Sequence, residues 1–391
     1  MVEEVGALRD DAVIGLRDPG HRQLPRFLDH LPADLVGTGV EELGGVGAVD
    51  RFSAAGYDHP LEFLEDLPRS THPMTPDMPA DGPFPGTPGK APPTLACSGA
   101  ASRPELGDDC WFLAGPTAAG KTSLGIRMAE RLAAEIVSVD SMAVYRGLDI
   151  GTAKPGPAER SRVPHHLVDV VAPSEAYNVA RWLADVTTAI AGIRARGRQI
   201  LFVGGTPLYL RALRDGLADV PGEVPEIRER LRAEIEAVGP AVLHHRLAAV
   251  DPEAARRIHQ NDARRIVRAL EVAASGVPLS AAFAPAPHPV FTRQMMVLDL
   301  PREVLRDRID RRVERMFAEG LVDETRQAAE GPGGIGATAS QAAGYSEALG
   351  VLSGTLPISE AIRLTQARTR QLAKRQLTWL RSFPGAVWIA A

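Results

Sequence analysis

Eight consecutive residues, Gly115, Pro116, Thr117, Ala118, Ala119, Gly120, Lys121 and Thr122, carry the spacing G-x-x-x-x-G-K-[ST]. That spacing serves phosphate binding. Its glycines let backbone N–H groups turn inward around phosphate oxygens, and the N-terminus of a following helix adds partial positive charge. Lys121 would neutralise the terminal phosphates, and the Thr122 hydroxyl can ligate Mg²⁺. The flanks fit. CWFLAG reads as a short buried strand entering the loop, and TSLGIRMAERLAA carries helical apolar spacing leaving it. The owner of the phosphate is left open, because a diphosphate on any organic group fits the same cradle as a nucleotide.

A second group of residues follows the next predicted strand, EIVSVD. Asp140 stands at the C-terminal end of that strand, where ligands bind in open α/β sheets. It reads as a base or magnesium partner, or as a structural capping aspartate. Lys154 in DIGTAKP reads as a second phosphate contact or as a solvated loop lysine. Arg308 and Arg312 fall one turn apart on a predicted helix, an unfavourable placement unless an anion sits between them or Asp307, Asp310 and Glu314 pair with them. Thr206, after Gly204 and Gly205, could be a plain helix N-cap. His165 and His166 are adjacent, so in a strand they point to opposite faces and do not read as a metal pair.

The elements that must position these residues alternate. The strand, loop and helix around the phosphate motif lead to the strand EIVSVD, a helix over about residues 179–195, the strand QILFVGG and the helix TPLYLRALRDGL. Such alternation predicts an α/β fold, a P-loop NTPase-like parallel sheet flanked by helices. Between 220 and 289 the pattern turns wholly helical (PEIRERLRAEIEAV, AVLHHRLAAV, ARRIVRALEVAA), an all-helical insertion domain. The strand QMMVLDL then returns, followed by a long helix from Arg302, a Gly-rich break and a basic C-terminal helix. The expected division is therefore an N-terminal extension over 1–108, a first part of the core over 109–219, the insertion over 220–289, and the rest of the core with the basic helices over 290–391. The extension is dense in Pro and Gly over 68–104, too poor in large apolar residues to offset the entropy of ordering, and is expected to be disordered or weakly ordered.

Charge follows the same division. Of 391 residues, the first 110 carry 8 Lys+Arg against 19 Asp+Glu, and the remainder carry 36 against 30. The basic part fits a polyanionic partner. Only four lysines occur, Lys90, Lys121, Lys154 and Lys374, in a chain whose other cations are arginines. Cys97 and Cys110 cannot supply a four-ligand zinc site or a disulfide scaffold. No apolar run approaches the roughly 18 residues that span a bilayer, and the acidic start is unlike a secretory leader, so a cytoplasmic, membrane-free address is expected.

Taken together, GPTAAGKT, SVDSMAVYRGLDIGTAKP, HHLVDV, VGGTPLYLRAL, DPEAARRIHQNDARRIVRALEV, QAAGYSE and TRQLAKRQLTWLR resemble the tRNA dimethylallyltransferase family, also called tRNA isopentenyltransferases, in order and rough spacing over about residues 110–390. The resemblance implies transfer of a dimethylallyl group from dimethylallyl diphosphate to N6 of adenosine 37, 3′ of the anticodon, with Mg²⁺ as cofactor and the tRNA anticodon stem-loop as partner. A monomer is expected. Carried over residue by residue, it places the diphosphate cradle on residues 115–122, the catalytic aspartate on Asp140 and a pyrophosphate-side arginine on Arg312, with Lys121 and Thr122 completing the catalytic set. It places tRNA contacts on Asp140, Ser141, Met142, Ala143, Thr206, Arg228, Arg264, Arg265, Arg268, Gln341, Gly344 and Tyr345. Ala143 stands where many members have Gln, and Ser346 where many have Lys or Arg. Arg368, Arg370, Lys374 and Arg375 add cations on the C-terminal helix, with Trp379 as a stacking or core aromatic. Two rivals remain at this point: a P-loop kinase, which gives the basic C-terminal helix no role, and an RNA-binding protein with a vestigial loop, which leaves Lys121, Thr122 and Asp140 unexplained.

Overall fold

The computed structural model describes residues 15–16, 104–217, 220–276, 278–281 and 295–390. All of them fall in one of two compact units, residues 1–37 together with 97–391. Apart from residues 15–16 and 104–108, the expected N-terminal extension lies outside the described residues.

The strands are β1 (Gly15–Leu16), β2 (Cys110–Ala114), β3 (Ala134–Val139), β4 (His165–His166), β5 (Gln199–Gly204), β6 (Met295–Asp299) and β7 (Val387–Ala390). They form one sheet in the order β1-β7-β6-β2-β5-β3-β4. Every pairing is parallel except that of β1, which lies antiparallel on β7. β2 sits between β5 and β6, and all five of its residues are buried. A central parallel strand is covered on both faces, which is why it reads as an unbroken apolar run.

The two faces separate by residue parity. Cys110, Phe112 and Ala114 enter one core with Val137, Val139, Ile200 and Phe202, whereas Trp111 and Leu113 enter the other with Ile136, Leu201 and Met296. Phe112 stacks on Phe202 with centroids 4.9 Å apart. Helix α1 (Lys121–Leu132) covers the second core with Leu124, Ile126, Met128 and Ala129, while α3 (Val179–Ala195) covers the first with Trp182, Leu183, Val186, Ile190 and Ile193. Between them in the chain lies the short α2 (Pro157–Arg162).

After α4 (Pro207–Asp215), the helices α5 (Pro225–Val238), α6 (Pro240–Val250), α7 (Pro252–Arg257) and α8 (Ala263–Ala273) make the expected helical insertion. Its core is its own, built from Leu231, Leu243, Leu247, Ile258, Ile266 and Leu270. The chain returns as β6 and α9 (Arg302–Ala318), then α10 (Leu321–Glu330), a short 3-10 turn (Ala339–Gln341), α11 (Tyr345–Leu352) and α12 (Ile358–Leu380). Helices α2, α10 and α11 and strands β1 and β7 are additions to the elements read from the sequence.

Candidate active site at the phosphate loop

The loop leaves β2 at Ala114 and closes at Gly120, whose φ of 92° sets the left-handed turn into α1. Ala118 adopts φ 63° without a glycine's freedom, a conformation that costs an alanine roughly 1 kcal/mol or more. Such strain concentrates where a backbone must face a ligand. No side chain caps α1 and no acidic residue stands in its first turn, so its N–H groups and positive end are left for an anion. The peptide joining Pro116 to Thr117 is held at both ends. Its carbonyl accepts from Lys121 Nζ at 2.7 Å, and its N–H donates to Gln376 Oε1 at 2.8 Å.

Helix α9 supplies cations to this loop because its acids are engaged elsewhere. Asp307 pairs with Arg311, Asp310 with Arg370, and Glu314 accepts from Gln366. Among the described residues no carboxylate pairs with Arg308, Arg312 or Arg315. The helix's own carboxylates therefore do not neutralise Arg308 and Arg312. Arg312 Nη1 donates to Thr117 Oγ1 at 3.4 Å, and the Arg308 guanidinium lies 3.8 Å from the place of a β-carbon on Gly120. Burial pushes the Lys121 ammonium down to about 8; the Asp140 carboxylate opposes that shift and Arg312 adds to it. Burial and the neighbouring Arg315 also lower Arg312, against the pull of Asp140. Excess positive charge held partly out of water is the electrostatic signature of a polyanion site.

Asp140 follows β3 directly. Its Oδ1 accepts the N–H groups of Met142 at 2.8 Å and Ala143 at 3.3 Å, so the local turn fixes its carboxylate. Thr206 occupies the N-cap position of α4 without capping it. Its hydroxyl accepts the Ser141 N–H at 3.2 Å, while its own N–H donates to the Val139 carbonyl at 3.2 Å. The glycine pair makes this approach possible: a β-carbon on Gly204 would stand 2.2 Å from the Val139 oxygen, and one on Gly205 2.6 Å from the Gly115 oxygen. β5 therefore brings the Asp140 turn and the phosphate loop together.

The donor set fits Mg²⁺. Thr122 opens α1, its hydroxyl has no hydrogen-bond partner among the described residues, and Asp140 belongs to the same electrostatic neighbourhood as Lys121. One hydroxyl or carboxylate completed by substrate phosphate oxygens is the coordination Mg²⁺ accepts. The described residues contain no cluster of three His, Cys, Asp or Glu that could hold a metal unaided.

Other residues singled out by sequence fall as follows. Lys154 is neither a phosphate contact nor a solvated loop lysine: its buried ammonium pairs with Asp149 and Asp169 and donates to the Tyr145 carbonyl. His166 bonds to Glu135 and His165 to the Val163 carbonyl. Arg228 and Arg268 converge on the buried Glu271, with Arg268 also donating to the Pro221 and Gly222 carbonyls. With Glu223 also on Arg228, two carboxylates balance the two guanidinium charges inside the insertion. Arg264 and Arg265 stay on the exposed face of α8, Arg265 beside Asp262. Gln341 is exposed, but Tyr345 is fully buried with its hydroxyl on Glu324, so its side chain is unavailable to a nucleic acid. Gly344 takes φ 94° at the start of α11. Ala143 is buried, and Ser346 accepts from Arg368, which also pairs with Glu347. Arg370 is spent on Asp310, Lys374 and Arg375 remain exposed, and Trp379 is half-buried under the Arg211 guanidinium.

Sequence reasoning missed Gln376 and Glu324. The signal for Gln376 was present: Ala361, Thr365, Thr369, Ala373, Gln376 and Leu380 form the buried stripe of α12, a small and polar row at helical spacing.

A phosphate loop at the end of the central strand, unpaired cations around it and a carboxylate at the end of the next strand define a P-loop protein built to hold an anionic phosphate ester. The family model described as IPP transferase matches residues 143–383. A tRNA dimethylallyltransferase of Anaeromyxobacter dehalogenans is 49% identical over 281 residues, covering 71% of this chain and 94% of the relative. One of Myxococcus xanthus is 46% identical over 298 residues, covering 75% and 94%. The crystal structure of the tRNA isopentenylpyrophosphate transferase of Bacillus halodurans matches with 39% identity and a TM-score of 0.52, covering 72% of this chain and 89% of that one. A eukaryotic dimethylallyltransferase acting on tRNA matches at 28% and 0.58, covering 71% and 73%. The chain belongs to the tRNA dimethylallyltransferase family.

Proposed function

We propose that this protein transfers the dimethylallyl group of dimethylallyl diphosphate to N6 of adenosine 37, 3′ of the anticodon, in tRNA. The observation that carries the reading is the pair of cations without carboxylate partners among the described residues, Arg308 and Arg312, beside a phosphate loop whose Lys121 feels the Asp140 charge. In the reaction the bond between C1 of the dimethylallyl group and the diphosphate oxygen breaks, its electron pair leaves with diphosphate, and N6 bonds to C1. Lys121, Arg312 and the open N–H groups of α1 hold the leaving group's growing charge. Asp140 takes the N6 proton, which the amine must lose because its lone pair is delocalised into the ring. Mg²⁺, held by Thr122 and the phosphate oxygens with Asp140 nearby, would supply further charge neutralisation.

The acceptor side of this reading comprises Asp140, Ser141, Met142, Ala143 and Thr206, which form the turn that a flipped-out base would meet. Arg264, Arg265 and Gln341, exposed as they are, serve the tRNA backbone, and Lys374 and Arg375 extend the basic surface. A cytoplasmic monomer goes with this reading, and among the described residues no helix is long and apolar enough to cross a membrane. Incubation of the full chain with tRNA, dimethylallyl diphosphate and Mg²⁺ should yield a prenylated adenosine detected by nucleoside mass spectrometry. Asp140→Ala should lose roughly 10²- to 10⁴-fold in turnover. ATP-dependent phosphorylation of a small molecule with no modified nucleoside would overturn the assignment in favour of a kinase.

A further inference from the structure

We infer that Gln376, on the last turns of α12, is a positioning residue that sets the donor-binding loop against the turn carrying Asp140; the inference rests on the transferase reading above. Gln376 is buried, 259 residues from the phosphate loop in sequence, and both ends of its amide are engaged. Its Oε1 accepts the Thr117 N–H at 2.8 Å and its Nε2 donates to the Gly205 carbonyl at 2.7 Å. Each partner belongs to a peptide unit whose other end is also held. The carbonyl of the first, on Pro116, accepts from Lys121. The N–H of the second, on Thr206, donates to the Val139 carbonyl, one residue before Asp140. One side chain therefore joins the peptide that steadies Lys121 to the peptide that steadies the root of Asp140.

An ordinary polar residue in a helix interior satisfies itself locally, and its neighbours in the stripe do so. Thr365 donates to the Ala361 carbonyl and Thr369 to the Thr365 carbonyl, both within α12. Gln376 instead reaches out of its helix to two loops of the site. The bridge requires an acceptor and a donor at fixed separation, which a primary amide supplies and a carboxylate or thioether does not. Gly205 is shaped to it, since a β-carbon there would stand 2.7 Å from Nε2. Because misplacing reacting groups by about 1 Å can cost on the order of 10²-fold in rate, a bridge between donor and acceptor loops controls turnover without touching either substrate.

The test uses the full chain and two variants, Gln376→Met, which keeps the volume, and Gln376→Glu, which keeps the acceptor for Thr117 but sets an anion against the Gly205 carbonyl. Single-turnover rate, separate affinities for dimethylallyl diphosphate and tRNA, and thermal midpoint are measured for each. Both variants should lose about 10- to 100-fold in rate, Gln376→Glu at least as much as Gln376→Met, while each affinity stays within about threefold and the folded state persists. Thr206→Val removes the hydroxyl that holds the Ser141 N–H beside Asp140, so in the double variant the rate losses should be less than additive, both acting on the one turn that carries Asp140. The inference is overturned if rate is unchanged, if a loss of either affinity accounts for the whole effect, if the losses add, or if both variants are unfolded at the assay temperature. A wild-type chain that yields no prenylated nucleoside takes down the transferase reading and this inference with it, whereas an active wild type with unaffected variants takes down the inference alone.

Discussion

Gly151 lies directly under the ring of Tyr345: a β-carbon on Gly151 would stand 2.4 Å from the ring's Cε2. The ring has no room to retreat, because Tyr345 is fully buried and its hydroxyl donates to Glu324 Oε1 at 2.6 Å. The same carboxylate accepts the N–H groups of Asp149, Ile150 and Gly151, so α10, α11 and the loop after Asp140 are locked at one point. Gly151→Ala should destabilise the fold by about 1–3 kcal/mol, the usual cost of overpacking. Denaturant unfolding reads it as a lowered midpoint, and a midpoint equal to that of the wild type would show that the loop yields freely.

Diphosphate affinity should depend on pH through Lys121. Burial holds its ammonium at about 8 in the free protein, and a bound anion favours the charged form and so raises it. Affinity for dimethylallyl diphosphate should then be flat below about 8 and weaken as pH rises through that value. Calorimetric titration from pH 6.5 to 9.5 checks this. Lys121→Arg, whose charge does not titrate there, should bind with a flat profile; a wild-type profile equally flat would remove Lys121 from the cradle.

Acid sensitivity should arise in part at Glu135, on β3. The hydrogen-bonded Arg196 guanidinium holds this buried carboxyl at about 2, with His166 adding to the effect of Arg196 against the cost of burial. A depressed carboxyl contributes stability above its ordinary value of 4.5, and that contribution is lost as pH falls from there through about 2. Glu135→Gln should therefore be less stable than the wild type from pH 7 to 5, with the gap closing below 4.5. Urea midpoints at stepped pH provide the comparison, and a gap that widens in acid would contradict it.

Two arginines of α8 should behave differently. Arg264 is exposed without a carboxylate partner among the described residues, whereas Arg268 shares Glu271 with Arg228. Arg264→Ala should weaken tRNA binding and lower its salt slope by about one unit at unchanged thermal stability. Arg268→Ala leaves part of a buried carboxylate uncompensated and should lower the unfolding midpoint first. Filter binding across a salt series, paired with thermal melts, separates the two outcomes.

The parts of the fold that were legible in the sequence are those where one residue's type answers one local demand. The phosphate loop, the buried run of β2 and the helix Val179–Ala195 are of this kind. Helix α10 was not, because it begins straight after the turn at Gly320, φ 104°, with no capping side chain to announce a new helix. β7 has only four residues, too short for a period, and is a strand because β6 pairs with it. In the site, Lys121 and Asp140 were readable from motif and strand end. The fates of Lys154, Arg228 and Arg268 were not, since an arginine or lysine in a sequence carries no mark of the carboxylate that tertiary structure will set beside it. Gln376 was hidden for the same reason, its partners lying 259 and 171 residues away.

Those separations have a consequence for how the molecule is made. The phosphate loop is synthesised by residue 122, and β5 can pair with β2 once residue 204 is available. β6 must wait for the whole helical insertion, and Gln376 for the whole of the chain from β6 to the last turns of α12. A domain dominated by such distant pairings closes late and slowly. The nascent chain thus carries a phosphate loop from residue 122 until residue 376 without the side chain that anchors it, and a message truncated before α12 would encode that loop but never complete the site.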